Sequence, residues 1–133
     1  MKIEPPPPRP YGVSGAAAVE LCREWMVYLG TVETLIARED ARHLCDLYSN
    51  QYLAWIYDGR ANLDIDTVER AANVAANDGR LPLIFVPGGV RPSARECADS
   101  LGVALLRYRA YDGALDGANA LGRRLRANGP AIN

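Results

Sequence analysis

Asp46 is the residue of this sequence whose position most strongly suggests chemistry. It lies between Cys45 and Leu47 in a segment that reads as two short strands joined by a polar turn, CDLYSNQYLAWIY. A carboxylate can bind a divalent cation, because Mg²⁺ prefers hard oxygen ligands. The second strand, 52–57, is apolar and aromatic and offers neither a carboxylate nor a cationic side chain. The sequence therefore predicts an acidic position that faces an apolar strand.

The composition limits the classes of function. A chain of 133 residues with 49% hydrophobic and 23% charged residues is typical of a single globular domain. Its net charge of -1 predicts no general attraction to nucleic acid or to an acidic membrane. Lys2 is the only lysine, so a mechanism that needs a lysine has none in the folded part. Without an apolar run long enough for a signal peptide or a membrane span, we expect a cytoplasmic protein that does not bind membranes.

Three regions are predicted along the chain. Residues 1–13 contain Pro5–Pro8 and read as a stiff proline-rich arm that cannot join the interior of a sheet. Residues 14–127 read as one domain, and residues 128–133 as a C-terminal tail.

Hydrophobic periodicity predicts the elements of the domain. Apolar residues at helical spacing predict helices at 15–29 (with Ser14 as N-cap), from 64 or 66 to 77, at 91–101, and within 115–127. Alternating or continuous apolar runs predict strands at 31–38, 43–48, 52–57, 81–86 and 103–108. Short turns make the first three strands an antiparallel meander, and strand-helix-strand connections make the later strands parallel. The expected fold is α/β, with a mixed sheet, the order α-β-β-β-α-β-α-β, and helices on both faces.

Several segments resemble the Mrr-type restriction endonuclease domain, within the PD-(D/E)xK nuclease-like fold. The resemblance covers about residues 14–108. It is carried by a first helix that ends in Leu29-Gly30, by the Cys45-Asp46-Leu47 segment, and by three later segments. These are the strand 83–86, the helix 91–98 and the last strand 101–106. The resemblance implies a restriction-endonuclease-like sheet.

The resemblance also implies a metal site. In such nucleases an aspartate, together with a Glu or Gln two residues before a lysine, holds Mg²⁺ beside the scissile phosphate. Asp46 matches the aspartate, but the strand positions of the Gln-x-Lys pair become Ala54 and Ile56, or Trp55 and Tyr57. The family's helix-1 glutamate falls at Val19, beside Glu20. If the site is active, Asp46 would bind Mg²⁺ together with Glu20 or Asp58. Gln51 could also reach the metal from the end of the strand. Arg60 could take the place of the lysine.

Three functions follow as hypotheses. The first is a catalytically inactive Mrr-like protein without a cofactor that binds duplex DNA or a protein partner. Arginines of the C-terminal third could contact the phosphates of DNA: Arg91, Arg95, Arg107, Arg109, Arg123, Arg124 and Arg126.

The second hypothesis is an active Mg²⁺-dependent DNA endonuclease of the type IV restriction class. The third is a homodimeric interaction module. Its interaction surface would be formed by Tyr48, Trp55 and Tyr57, together with Tyr52, because aromatic side chains are enriched at the centres of interfaces.

Overall fold

A six-stranded mixed sheet forms the centre of the protein, with helices on both of its faces. The computed structural model describes residues 4–8, 16–41, 44–57, 62–109 and 112–129. In chain order, the elements are α1 (Ala16–Leu29), β1 (Leu35–Ile36), β2 (Leu47–Tyr48), β3 (Tyr52–Ile56), α2 (Ile65–Asp78), β4 (Leu81–Val86), α3 (Pro92–Leu101), β5 (Ala104–Tyr108), β6 (Leu115–Gly117) and α4 (Ala120–Asn128). The predicted α/β class is confirmed. Ser14 and most of the proline-rich arm lie outside the described residues, and residues 4–8 form neither helix nor strand.

The strands lie in the sheet in their chain order, from β1 to β6. β1, β2 and β3 form an antiparallel meander, and β3, β4 and β5 are parallel to one another. β6 returns antiparallel to β5 and forms the other edge. The predicted mixed sheet is therefore confirmed, and α2 and α3 make the crossovers between its parallel strands.

The side chains of β4 show how the two faces are built. Leu83 and Phe85 pack with the apolar residues of α1 and α4. Ile84 and Val86 point the other way and pack with α2 and α3. Successive side chains of a strand alternate between faces, so a continuous apolar run is suited to a strand covered on both sides. The run LPLIFV predicted this double burial.

The ends of α2 and α3 follow the sequence signals. The Asp64 carboxylate accepts a hydrogen bond from the Thr67 N–H at 3.0 Å and caps α2. Gly79 ends the helix with a φ of 77°, a left-handed conformation that favours glycine. Pro92 opens α3, and Gly102 ends it in the same way as Gly79.

Two strand predictions were too long. Of residues 31–38 only Leu35–Ile36 forms a strand, because Thr31 and Thr34 use their hydroxyls to close a turn after α1. The Thr34 hydroxyl donates to the Thr31 carbonyl at 2.6 Å, and the Thr31 hydroxyl donates to the Met26 carbonyl at 2.9 Å. Threonine side chains can offer the main chain an alternative to a sheet ladder in this way. Within 43–48, strand β2 includes only Leu47–Tyr48.

The predicted helix within 115–127 is present as α4, but strand β6 before it was not predicted. Leu115–Gly117 form β6, and the helix begins only after Asn119, which caps it. The Asn119 side chain is fully buried and makes three hydrogen bonds. Its oxygen accepts from the N–H groups of Leu105 (3.0 Å) and Gly122 (2.8 Å), and its amide donates to the Val103 carbonyl (2.8 Å). Asn119 therefore holds the start of α4 against β5.

We expect Asn119→Ala to lower the free energy of unfolding by about 3 kcal/mol, because three buried main-chain groups lose their partner. Urea denaturation followed by tryptophan fluorescence measures the loss. Asn128→Ala is the matched control, since Asn128 is exposed at the other end of α4, and it should stay within about 0.5 kcal/mol of the wild type. Equal stability of the two variants would contradict this role of Asn119.

Candidate functional site

Asp46 lies at the beginning of β2, where the pairing with β3 is irregular. Its N–H donates to the Ala54 carbonyl at 2.9 Å, although the register pairs Ala54 with Leu47. Its own carbonyl accepts from the Ala37 N–H at 2.9 Å. Two successive residues opposite one residue of the neighbouring strand form a β-bulge. Bulges re-aim a side chain, so the backbone itself sets the direction of the Asp46 carboxylate.

The Asp46 carboxylate takes part in the structure of the sheet. It accepts a hydrogen bond from the Ile56 N–H at 2.7 Å, at the end of β3. It also lies near Cys22 of α1. Burial raises the pKa of the Cys22 thiol well above its usual value, and the negative charge of Asp46 adds to this effect. Cys22 is therefore a neutral, buried thiol, and Asp46 faces the side of the sheet that α1 covers.

The suggested partners of Asp46 do not gather around it in the described residues. Glu20 is exposed on α1 and accepts a hydrogen bond from the Arg23 Nε at 3.0 Å. Val19 packs against the core beside α1's buried face. Gln51 lies just before the first residue of β3, whereas the Asp46 carboxylate accepts its hydrogen bond from Ile56, the last residue of that strand. Asp58 and Arg60 lie outside the described residues.

The described part of the chain contains no group of three or more His, Cys, Asp or Glu side chains placed to hold a metal ion. Strand β3 contributes Ala54 to the core on the α1 side, with Ile56 packed against it. Both are apolar. Among the described residues, the main chain therefore supplies a hydrogen bond to the Asp46 carboxylate, but the neighbouring side chains offer few oxygen ligands for Mg²⁺.

The seven predicted DNA-binding arginines do not share one surface. Arg91 and Arg95 belong to the start of α3, on one face of the sheet, whereas Arg123 and Arg124 are exposed on α4, on the opposite face. The cationic groups are therefore divided between both sides of the molecule.

Arg91 also lies near the Asp64 carboxylate that caps α2. Hydrogen bonds from Thr67 lower the pKa of the Asp64 carboxyl, and the charge of Arg91 nearby adds a smaller effect.

The other three arginines have local acceptors or acidic neighbours. Arg109 donates to both carboxylate oxygens of Asp112, at 3.1 and 2.8 Å. Arg107 lies directly opposite Asp116 in the register of β5 and β6, and both are exposed. These residues form part of a mixed-charge surface, which favours binding of DNA less than a continuous basic surface does.

Arg126 stabilises the packing of α4 on α1. Its guanidinium lies 4.9 Å from the centre of the Trp25 ring and 6.0 Å from that of Tyr28. Its Nε donates to the Leu115 carbonyl at 3.0 Å. The Trp25 indole N–H donates to the Gly113 carbonyl at 2.9 Å. The guanidinium is therefore held between aromatic rings and the edge of β6.

The residues of the predicted aromatic surface are partly buried. Tyr48, Trp55 and Tyr57 pack against the apolar residues on the α2 side of the sheet. Tyr52 was grouped with them incorrectly, because it points to the opposite face and is only 7% exposed. Residues of one strand alternate between faces, so Tyr52 cannot share a surface with Trp55.

A groove that the sequence did not indicate lies beside these aromatic residues. It has a volume of about 480 Å³ and lies beside β2 and the segment that joins β1 to β2, next to the end of α2. Its lining includes Ala37, Leu44, Tyr48, Leu53, Val74 and the Asp78–Arg80 ion pair. α2 packs on β3 and β4, so the groove occupies the part of this face that α2 leaves uncovered. It joins segments distant in the sequence, and no local pattern could have identified it.

Two exposed leucines lie at or near the groove. Leu44 is 48% exposed, and Leu35 of β1 is 54% exposed. Leu35 lies directly opposite Tyr48 in the register, so its side chain is on the same face of the sheet as the groove. We call the groove, Leu35 and Leu44 together the β1–β2 surface.

Comparisons with protein-family models, with curated proteins and with solved structures found no match to this chain. Among the described helices, none is both long enough and apolar enough to cross a membrane.

We expect Asp46→Ala to lower the free energy of unfolding by about 2 kcal/mol, because the Ile56 N–H loses its acceptor. Asp46→Asn should recover most of this loss, since its side-chain oxygen can still accept the hydrogen bond. Urea denaturation measures both variants. Asp99→Ala, on the exposed side of α3, is the control and should change stability by less than about 0.5 kcal/mol. If the asparagine variant is as unstable as the alanine variant, the hydrogen bond to the Ile56 N–H does not account for the loss of stability.

Arg126→Gln should lower the free energy of unfolding by about 1–2 kcal/mol, because it removes the contact with the Trp25 ring and the bond to Leu115. Arg123→Gln removes the same charge from an exposed position of the same helix and should be nearly neutral. Thermal unfolding of the two variants makes the comparison. An equal decrease in Tm would show that net charge, and not this contact, stabilises α4.

Proposed function

We propose that this protein is an Mrr-like, restriction-endonuclease-like domain that does not cleave nucleic acid and acts by binding a protein partner. The order of its elements supports the fold. From α1 to β5 the helices and strands follow each other as α-β-β-β-α-β-α-β, with an antiparallel meander before the parallel strands. β6 and α4 are additions at one edge.

The hydrogen bond between the Asp46 carboxylate and the Ile56 N–H carries the first half of this proposal. A nuclease of this kind needs several oxygen ligands around Mg²⁺ and a charged group that assists the attacking water. At the corresponding positions β3 has Ala54 and Ile56, and one Asp46 oxygen is bonded to the main chain. The carboxylate has a role in the fold that does not require a metal.

The β1–β2 surface supports a protein as the partner. It combines a groove with apolar walls and two leucines that are about half-exposed, and exposed apolar patches of this kind mark interaction sites. DNA would require a continuous basic surface, because contacts to phosphates dominate the affinity of such complexes. The arginines considered above lie on both faces of the sheet and partly beside carboxylates.

The test compares Leu44→Asp with Leu101→Asp, two leucines that are each 48% exposed but lie in different places. Leu101 ends α3, away from the groove. A partner captured by the wild-type chain and identified by mass spectrometry should lose at least about tenfold in affinity with Leu44→Asp. Leu101→Asp should bind it as the wild type does. Equal binding by both variants would contradict the assignment to this surface.

Two further measurements address the alternative functions. Supercoiled plasmid incubated with the protein and Mg²⁺ or Mn²⁺ should stay intact; nicking that Asp46→Asn abolishes would establish an active endonuclease. Binding to a DNA duplex is followed by fluorescence anisotropy at increasing salt. A steep salt dependence would favour DNA over a protein partner. Light scattering would detect a homodimer, in which case the partner on the β1–β2 surface is a second copy.

A further inference from the structure

A second cavity lies on the opposite face of the sheet, below α4. It has a volume of about 270 Å³ and lies at the beginning of β4 and β5. Its walls are mostly apolar and include Leu81, Pro82, Leu121 and Leu125. A volume of this size suits a small organic molecule, because ligand sites are concave, largely apolar and contain a few well-placed polar groups. Tyr52 and Arg124 supply those polar groups here.

Tyr52 lines the cavity and is only 7% exposed. The ring is buried, and its hydroxyl makes no hydrogen bond to any of the described residues. In that part of the chain, no fully buried side-chain oxygen or nitrogen lacks a partner, so the hydroxyl is not completely enclosed, and Tyr52 lines this cavity. Burial raises the pKa of Tyr52. The hydroxyl therefore stays protonated at neutral pH and can donate a hydrogen bond to a ligand.

Arg124 also lines the cavity. It is exposed on α4 and makes neither an ion pair nor a hydrogen bond within the described residues. Helix α4 itself has no acidic residue that could neutralise it. A guanidinium in this position can bind a carboxylate with two parallel hydrogen bonds, a geometry that its planar fork favours.

We propose that this cavity binds a small organic acid with an apolar body, a carboxylate at one end and a hydroxyl or carbonyl oxygen at the other. Arg124 binds the carboxylate, Leu81 and Leu121 contact the apolar body, and the Tyr52 hydroxyl bonds the oxygen at the other end. The site is on the other face of the sheet from the β1–β2 surface, so it does not overlap the surface proposed for the protein partner.

The experiment uses 6-hydroxyhexanoate and hexanoate as probes and follows the amide NMR signals of the full chain. We expect 6-hydroxyhexanoate to bind saturably, with shifts at Tyr52, Leu81, Gly102 and Gly129, which line or border the cavity. Hexanoate lacks the hydroxyl oxygen and should bind about fivefold more weakly. Hexane-1,6-diol lacks the charge and should bind at least about tenfold more weakly than the hydroxy acid.

Three variants separate the contributions. Arg124→Gln should weaken both acids by about tenfold, whereas Arg123→Gln, which changes the neighbouring exposed arginine, should leave both unchanged. Tyr52→Phe keeps the ring and should remove the difference between the two acids. The dispersion of the amide spectrum checks that each variant is folded.

Three results would overturn the proposal. The first is the absence of saturable shifts with 6-hydroxyhexanoate at millimolar concentrations. The second is an equal loss of affinity in Arg123→Gln and Arg124→Gln, which would mean that general positive charge is responsible. The third is equal binding of the two acids by the wild type, which would remove the role of Tyr52.

Discussion

Parallel strands have to be covered on both faces, and this constraint accounts for most of the structure. β4 lies in the middle of the sheet, with Leu83 and Phe85 on one side and Ile84 and Val86 on the other. α2 and α3 are the crossovers that connect the parallel strands, so they cover the same face. The opposite face needs helices from elsewhere in the chain. α1 comes from the N-terminal side, and α4 is held in place through Asn119.

The groove and the second cavity both follow from the way the helices cover the sheet. α2 packs mainly on β4 and also on β3, so the groove remains beside β2 and the segment that joins β1 to β2. α4 begins beside β5, where a side chain at Gly122 would collide with the Leu105 carbonyl. This close approach fixes the beginning of α4, and the second cavity is the space left beneath its later residues. Each cavity is thus a consequence of where a helix must begin or end.

The sequence predicted the centre of the fold and missed its edges, for physical reasons. The continuous apolar run from Leu81 to Val86 predicts a buried strand, and it does so correctly because both faces of β4 are covered by helices. Asp64 and Gly79 gave the ends of α2, because caps depend on single residues. In contrast, Thr31 and Thr34 are β-branched residues that are common in strands, but here their hydroxyls form hydrogen bonds that close a turn.

The candidate sites were harder to predict than the fold. Asp46 was recognised because its neighbours are apolar, but the bulge that directs its carboxylate depends on the register between β2 and β3. Tyr52 and Arg124 are 72 positions apart in the sequence, and only the packing of α4 brings them to one cavity. The division of the arginines between two faces likewise depends on the path of the chain and not on their spacing.

The two edges of the sheet differ in a way that affects aggregation. The carbonyl of Leu115 points away from β5 and accepts a hydrogen bond from the Arg126 Nε. Strand β6 therefore offers few unsatisfied main-chain groups to a new strand. At the other edge β1 has only two residues. Short or covered edge strands prevent one sheet from extending into another. Both edges therefore disfavour the pairing of one copy's sheet with another's, even though exposed leucines lie close to β1.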